Sequence, residues 1–332
     1  MLFFISFWGH YFTQAVVYSI VTLAVVETLV AAWRLREALA RIKLRFLALL
    51  LPVACPPLFF LIYPPRHDFS FREQVALLDI NTWLRLELGG GIAVWHLAAA
   101  GLGITAIVFL ARDVLPIVRH YLGRRHLSFP IVEEGRFPRL DAALAGLPEK
   151  AAIPRPAVRL SPDKLPVAYT SGRGTLVVSA AMIDLLDDDE LRAVTGHEIA
   201  HLSRRVGWIS RALLVLRWLQ GYNPLAILVF HLIVNDSEKL CDDMAAGYSG
   251  RRLSLTSGLL KIFQRSTGET LPEVEIRRPV KPVNGLEDVA NRNLVKERIK
   301  RIVHGDAAGV PYPNFRVVVT GVMLAALLFL IV

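Results

Sequence analysis

Residues 197 to 201 read His-Glu-Ile-Ala-His, an instance of the HExxH pattern. On a helix, positions four apart share one face, so His197 and His201 can turn their imidazoles toward one metal ion. Zinc favours imidazole nitrogen, and a catalytic zinc takes three protein ligands and keeps one position open for water. Glu198 follows the first histidine directly, where it can reach that water as a general base without being a ligand. The chemistry expected of this stretch is zinc-dependent hydrolysis of a peptide bond.

A third ligand must come from elsewhere in the chain. Glu238 is the strongest candidate, 37 residues beyond His201 in Glu238-Lys239-Leu240-Cys241-Asp242. Asp242 lies one helical turn after Glu238 on the same face, placed to accept the outer ring N–H of a ligating histidine. Asp243 faces elsewhere. Cys241 reads as a small buried packing residue. An oxyanion donor is also expected, with His231, Asn235, Tyr248 and Arg252 as unranked candidates. An extended substrate would add to the edge of the strand Thr175–Ser179.

Composition sets the surroundings of this chemistry. The chain has 332 residues, of which 54% are hydrophobic and only 20% charged. Its mean hydropathy is +0.44. That is the profile of a membrane protein. The formal charge of +9 could suggest nucleic acid, but the positive residues cluster beside apolar segments, so no nucleic-acid partner is expected. Cys55 and Cys241 are far apart and give neither a disulfide framework nor a metal-ligand spacing, which is consistent with a reduced compartment.

Apolar runs near Tyr11–Trp33, Phe46–Tyr63 and Gly89–Leu110 are expected to span a bilayer, with Val317–Val332 as a short fourth span. Pro52, Pro56 and Pro57 predict a kinked or broken second helix whose lost backbone bonds are repaired by its neighbours. Gly89–Gly91, Gly101 and Gly103 are read as permitting close helix packing, which would also permit a homodimer. Arg34, Arg36, Arg41, Lys43 and Arg45 follow the first span, and Arg112, Arg119, Arg124 and Arg125 follow the third. By the positive-inside rule both loops are cytoplasmic and the N-terminus faces out. The expected layout is a membrane domain over 1–115, a cytoplasmic peptidase domain over 116–310 and a fourth span over 311–332, in a bacterial inner membrane.

Asp187-Asp188-Asp189-Glu190 opens the histidine helix, with acid at its positive end. That helix is expected to bury Leu191, Val194 and Ile199. The runs Trp208–Leu219 and Leu225–Val234, separated by Gly221-Tyr222-Asn223-Pro224, are each too short to span a membrane. Ser266–Pro313 is read as a tether, with an amphipathic helical piece near Val295–Val303, and as a candidate self-cleavage segment.

With these motifs in place, the stretch TLVVSAAMIDLLDDDELRAVTGHEIAHLSR resembles the strand-and-helix core of integral-membrane gluzincin peptidases. Asn223-Pro224-Leu225, followed by the ExxCD of Glu238–Asp242, resembles the beta-lactam sensor-transducer (BlaR/MecR-type) family. The resemblance covers Gly172 to Ala246. It implies a mainly α membrane protein with about four transmembrane helices and an α+β gluzincin-type zinc peptidase domain. It also implies His197, His201 and Glu238 as Zn2+ ligands, Glu198 as base, and a cytoplasmic regulatory protein as substrate. The sequence ends at Val332, where the sensor members continue into an external domain, and it has no SxxK acylation motif after the fourth span. Direct beta-lactam sensing is therefore not expected.

The prenyl-protein endopeptidases are the second resemblance, through HExxH and ExxxD. The rival readings are a prenyl-protein-type or quality-control membrane protease, and a catalytically silent protein that keeps zinc as a staple. Glu198 argues against the latter, since a structural zinc needs no base. A transporter fits poorly, because Glu27 is almost the only ionisable residue within the spans.

Overall fold

The computed structural model describes residues 7–67, 71, 74–75, 77, 80–115, 118, 131–133, 135–171, 174–205, 208–267, 296–302 and 313–331. The chain is mostly helical. In order, its main elements are α1 (Phe7–Ala32), α2 (Ala38–Ile62), α3 (Val94–Phe109), α4 (Pro138–Leu144), β1 (Ala157–Ser161), β2 (Ala168–Ser171), β3 (Thr175–Ser179), α5 (Ala180–Leu185), α6 (Asp188–Arg205), α7 (Trp208–Leu219), α8 (Pro224–Ser249), α9 (Arg252–Thr267) and α10 (Asn314–Phe329). They fall into two compact units. One comprises Met1–Arg125, Trp208–Asp236 and Val310–Val332; the other comprises His126–Gly207 and Ser237–Gly309.

Three helical stretches of the first unit are long and apolar enough to cross a membrane: Tyr11–Ala32, Ala38–Ile62 and Val94–Val114. Asn314–Phe329 is apolar but shorter. Helix α2 runs unbroken through Pro52, Pro56 and Pro57. A proline leaves the carbonyl four residues earlier without its helical donor. Two of the carbonyls so freed are taken up by side chains of α1. The Thr22 hydroxyl lies 3.4 Å from the Ala48 oxygen, and the Tyr11 hydroxyl lies 3.5 Å from the Val53 oxygen. Hydroxyls of a neighbouring helix thus stand near two of the open carbonyls, as a lipid environment favours, although the Thr22 hydroxyl is closer to the Tyr18 carbonyl of its own helix, at 2.7 Å.

The glycines of Gly89–Gly91 have a different role from the packing expected of them. All three have positive φ, at +114°, +61° and +76°, and they turn a short hairpin between Glu87–Gly89 and Ile92–Ala93. Only glycine takes that conformation without strain, and the third apolar helix starts after it, at Val94.

Buried charge in this unit meets either an opposite charge or a set of hydrogen-bond acceptors. Arg45 is 3% exposed and grips both carboxylate oxygens of Glu27, at 2.7 and 2.8 Å. It also contacts the fully buried Asp236 at 2.5 Å, which Arg41 approaches at 3.3 Å. Glu27 is thus an ion-pair partner. Arg66, also fully buried, donates to the Phe329 carbonyl at 2.9 Å and to the Tyr18 hydroxyl at 2.5 Å. It thereby closes the open carbonyl end of α10.

The second unit packs helices on a three-stranded sheet of order β1-β3-β2. Strand β3 pairs with β1 in parallel and with β2 antiparallel. Thr175–Ser179 is therefore the central strand, and the expectation that a substrate could add to its edge is corrected: both of its sides are already hydrogen-bonded. The outer side of β1 carries an isolated bridge, Ile131 to Arg159, and the Val132 N–H donates to the Val158 carbonyl at 2.9 Å. Among the described residues, β2 is the edge without a further strand. Leu176 and Val178 of β3 join Leu140, Leu144, Leu191, Val194, Ile199 and Leu255 in one apolar core. The burial expected of Leu191, Val194 and Ile199 is what the structure has.

Two further expectations change. The second apolar run belongs to a 26-residue helix, α8, that continues to Ser249; no proline interrupts 225–249, and the helix ends before Gly250, whose φ is +71°. Within the proposed tether, residues 296–302 form a helix that packs Ile302 into the core. The remainder, 268–295 and 303–312, lies outside the described residues.

Candidate metal centre

Helix α6 begins where its sequence provides a cap. The Asp187 carboxylate accepts from the Glu190 N–H at 2.8 Å, and the Glu190 carboxylate accepts from the Asp187 N–H at 3.0 Å. This reciprocal capping box satisfies two of the helix's open donors. Glu190 is 3% exposed, and Ser257 and Lys261 of α9 also donate to it, at 2.5 and 2.7 Å. The cap thus sets both the start of α6 and its seating on α9. With that start, His197 and His201 fall on one face.

The three sequence-predicted ligands come together. One ligand atom each from His197, His201 and Glu238 lies within 4.8 Å of the others. His201 Nε2 is 3.1 Å from His197 Nε2. Glu238 Oε2 is 3.5 Å from His197 Nε2, and Oε1 is 3.4 Å from His201 Nε2. Bonds of 2.0–2.1 Å in a tetrahedron place ligand atoms roughly 3.3–3.4 Å apart. Three electron-pair donors at that spacing fit a zinc ion in their midst. His197 is 7% exposed, whereas His201 and Glu238 are 25% and 31% exposed. The cluster is closed on one flank and open on the other, as a centre that admits water and substrate must be. Glu198, also partly exposed, occupies the position after His197 on α6.

Around this cluster α8 contributes more than a ligand. His197 Nδ1 is 3.0 Å from Asp242 Oδ1, close to the residue expected to accept its N–H, but without the alignment of a hydrogen bond. Asp242 is in turn gripped by Arg298, whose Nε and Nη2 donate to its two oxygens at 2.8 and 2.7 Å. Arg298 Nη1 also lies 3.3 Å from Glu238 Oε2. Arg301 donates to Asp243 at 2.6 Å, and Lys239 meets Glu297 at 3.3 Å. Sequence reasoning missed Arg298, since nothing in its local pattern marks it apart from the helical period of 295–303. Cys241 is fully buried, as expected, but its Sγ is 3.5 Å from His201 Nδ1.

The electrostatics follow from these contacts. Burial opposes a charge on His197, yet the Asp242 and Glu238 carboxylates outweigh it and raise its pKa to about 9. Burial of His201 is likewise outweighed, by Cys241 and Glu238, and its pKa rises to about 10. Burial would raise the pKa of Glu238, but the two histidines and Arg298 hold it well below the usual carboxylate range. Asp242 is lowered in the same way by Arg298 and His197 against its burial. The cluster is strongly polarised: rings driven toward the cationic form face carboxylates held in the anionic form, where a divalent ion could take the place of protons.

The four oxyanion candidates stand in different surroundings. His231 is exposed, with Nδ1 2.8 Å from the Ile227 carbonyl. His231 and Asn235 belong to the first unit. Tyr248 packs against the apolar core, and Arg252 is exposed.

Comparison with known proteins agrees with this chemistry. Residues 134–268 match peptidase family M48. A protein named Protease HtpX homolog from Pyrococcus abyssi is 27% identical over 216 residues, covering 52% of this chain and 75% of the relative. A protein of the same name from Methanothermobacter thermautotrophicus is 43% identical over 121 residues, covering 35% of this chain and 43% of the relative. A third, from a Sulfurovum species, is 24% identical over 247 residues, covering 61% and 84%. These relatives lend no support to the narrower sensor-transducer resemblance. The match of residues 134–268 to peptidase family M48, in a chain with three helices apolar enough to cross a membrane and with HtpX homologues as relatives, supports a membrane metallopeptidase.

Proposed function

We propose that the chain is a membrane-embedded zinc endopeptidase in which His197, His201 and Glu238 hold the metal and Glu198 is the general base. The observation that carries this reading is the convergence of three donor atoms, 3.1–3.5 Å apart, on a flank that is partly open. Bound there, zinc would polarise the scissile carbonyl and make a water acidic enough to attack at neutral pH. With zinc bound, Glu198 would be placed to take a proton from water and return it to the departing amine. Asp242 fixes the tautomer and direction of the His197 ring, and Arg298 holds Asp242 in its ionised form.

The substrate is read as an extended segment of a protein. It would add to β2, the open edge of the sheet, against which the histidine helix α6 also packs. Main-chain pairing of this kind favours loops and unfolded stretches over particular side chains. That, with the HtpX names of the relatives, favours a protease acting on many unfolded proteins over one dedicated to a single cytoplasmic regulatory protein. The basic residues flanking the apolar helices support a cytoplasmic site, with 116–310 as the peptidase region and α10 as a fourth span.

The test is Glu198→Gln in the full chain. Cleavage of an unfolded protein should fall by about 10²–10⁴-fold while zinc content stays at the wild-type level. Wild-type cleavage with zinc retained would remove the assigned base. The same variant, cross-linked in native membranes, traps the substrate: many unfolded proteins support the broad reading, and one regulator supports the narrow one.

A further inference from the structure

Resting on the metal centre proposed above, we propose that Cys241 is a positioning residue for His201: its sulfur accepts the outer ring N–H and thereby aims Nε2 at the metal. The argument starts from the spacing of Glu238, Cys241 and Asp242. These are positions i, i+3 and i+4 of α8, so all three project from one face toward α6. Glu238 supplies oxygens to the ligand cluster, at 3.5 and 3.4 Å from the two histidines. Asp242 lies 3.0 Å from the outer nitrogen of His197. Cys241 lies 3.5 Å from the outer nitrogen of His201. One helical face thus serves the metal and each ring in turn.

Protonation logic gives the contact its direction. His201 Nε2 faces the ligand cluster, 3.1 Å from His197 Nε2 and 3.4 Å from Glu238 Oε1. A nitrogen that binds metal carries no proton, so in the neutral ring the proton sits on Nδ1. That N–H points at the fully buried Cys241, and a sulfur at 3.5 Å accepts it. The usual acceptor in this position is a carboxylate, a carbonyl or water. A thiol is a weaker acceptor than any of these. The two rings therefore face unlike partners: His197 lies beside a carboxylate that Arg298 braces with two hydrogen bonds, and His201 beside sulfur.

A packing role and a hydrogen-bonding role predict opposite orders for two small replacements. If Cys241 only fills space, alanine is tolerated at least as well as serine, since serine adds a polar group to a buried spot. If it accepts from His201, serine keeps an acceptor and alanine leaves the N–H without one. The experiment compares wild type, Cys241→Ser, Cys241→Ala and His201→Ala, all as full chains in detergent. Zinc affinity is read by chelator competition, and ligand geometry by the visible spectrum of the Co(II)-substituted protein. Cys241→Ala should lose about tenfold in zinc affinity, the lower end of the range for such partners, with an altered cobalt spectrum, and Cys241→Ser should recover most of both. Equal affinity and spectrum in Cys241→Ala and wild type, or serine faring worse than alanine, overturns the role of Cys241 while the metal centre stands. Failure of wild type to take up zinc, or indifference to His201→Ala, removes the metal centre itself and this role with it.

Discussion

His197 Nδ1 and Asp242 Oδ1 lie 3.0 Å apart, and this contact ties the histidine helix to the helix that carries Glu238. Asp242 is 1% exposed and holds Arg298 on its other side. The chain of contacts runs from Arg298 through Asp242 to His197, so the aim of a proposed ligand depends on a residue 101 positions away in sequence. Replacing Asp242 by Asn removes the charge but keeps the shape. Zinc affinity should fall about 10–100-fold, measured by chelator competition. Unchanged affinity would detach Asp242 from the site.

Arg298→Met should destabilise the peptidase unit of the metal-free protein by roughly 3 kcal/mol or more, because it strands the buried Asp242 without its cation. Pairing it with Asp242→Leu should recover much of that loss, since the charge is then gone altogether. Thermal unfolding in detergent with a chelator present reads both. A double variant no better than the single one would mean that Arg298 acts elsewhere.

Protons and zinc compete for the same ring nitrogens. In the metal-free protein His197 and His201 are raised to about 9 and about 10. The carboxylates thus favour protons on this pair of rings, and zinc must displace them. Titration calorimetry in buffers of different ionisation enthalpy should show proton release on zinc uptake at pH 7, shrinking as the pH rises through 9–10. The stability linkage has the opposite sense. A histidine whose folded pKa is raised stabilises fully below its unfolded value near 6.5 and loses that contribution as pH rises through 9–10. The chelated protein should therefore soften between about pH 7 and 10, while the zinc-loaded protein should not. Zinc uptake at pH 7 without proton release would contradict the raised histidines.

In the membrane unit, Thr22 covers the Ala48 carbonyl that Pro52 leaves open. Thr22→Val should cost about 0.5–1.5 kcal/mol. The same change in a Pro52→Ala background should cost less, because alanine at that position restores the helical donor. A double-mutant cycle in mixed micelles measures the coupling. Additive losses would show that the hydroxyl serves only its own helix, where it also bonds the Tyr18 carbonyl at 2.7 Å.

Arg45→Met deprives the fully buried Asp236 of the cation at 2.5 Å, Arg41 standing farther off at 3.3 Å. A loss of roughly 3 kcal/mol or more is expected, read as a fall in the detergent midpoint for unfolding. Asp236→Asn should be milder, since Arg45 keeps its two bonds to Glu27. Equal effects would show that the cluster acts only as a unit.

Much of this protein was legible in the residues themselves, because the relevant physics is local. The i, i+4 geometry of a helix fixes that His197 and His201 share a face whatever the rest of the fold does. Asp187 and Glu190 announce the start of that helix through their own reciprocal bonds, and long apolar runs announce helices that can cross a membrane. The tertiary structure decided what depends on segments distant in sequence. Strand β3 is central because β1 and β2 flank it, which no alternation within Thr175–Ser179 could reveal. Gly89–Gly91 turn a hairpin because their φ angles are positive, a choice glycine leaves open in either direction. Arg298 reaches Asp242 from a distant part of the chain, and Cys241 became a partner of His201 only when α8 turned that face toward α6. Local periodicity assigns a residue to a face of its own element; what that face meets is set by the packing of the whole chain.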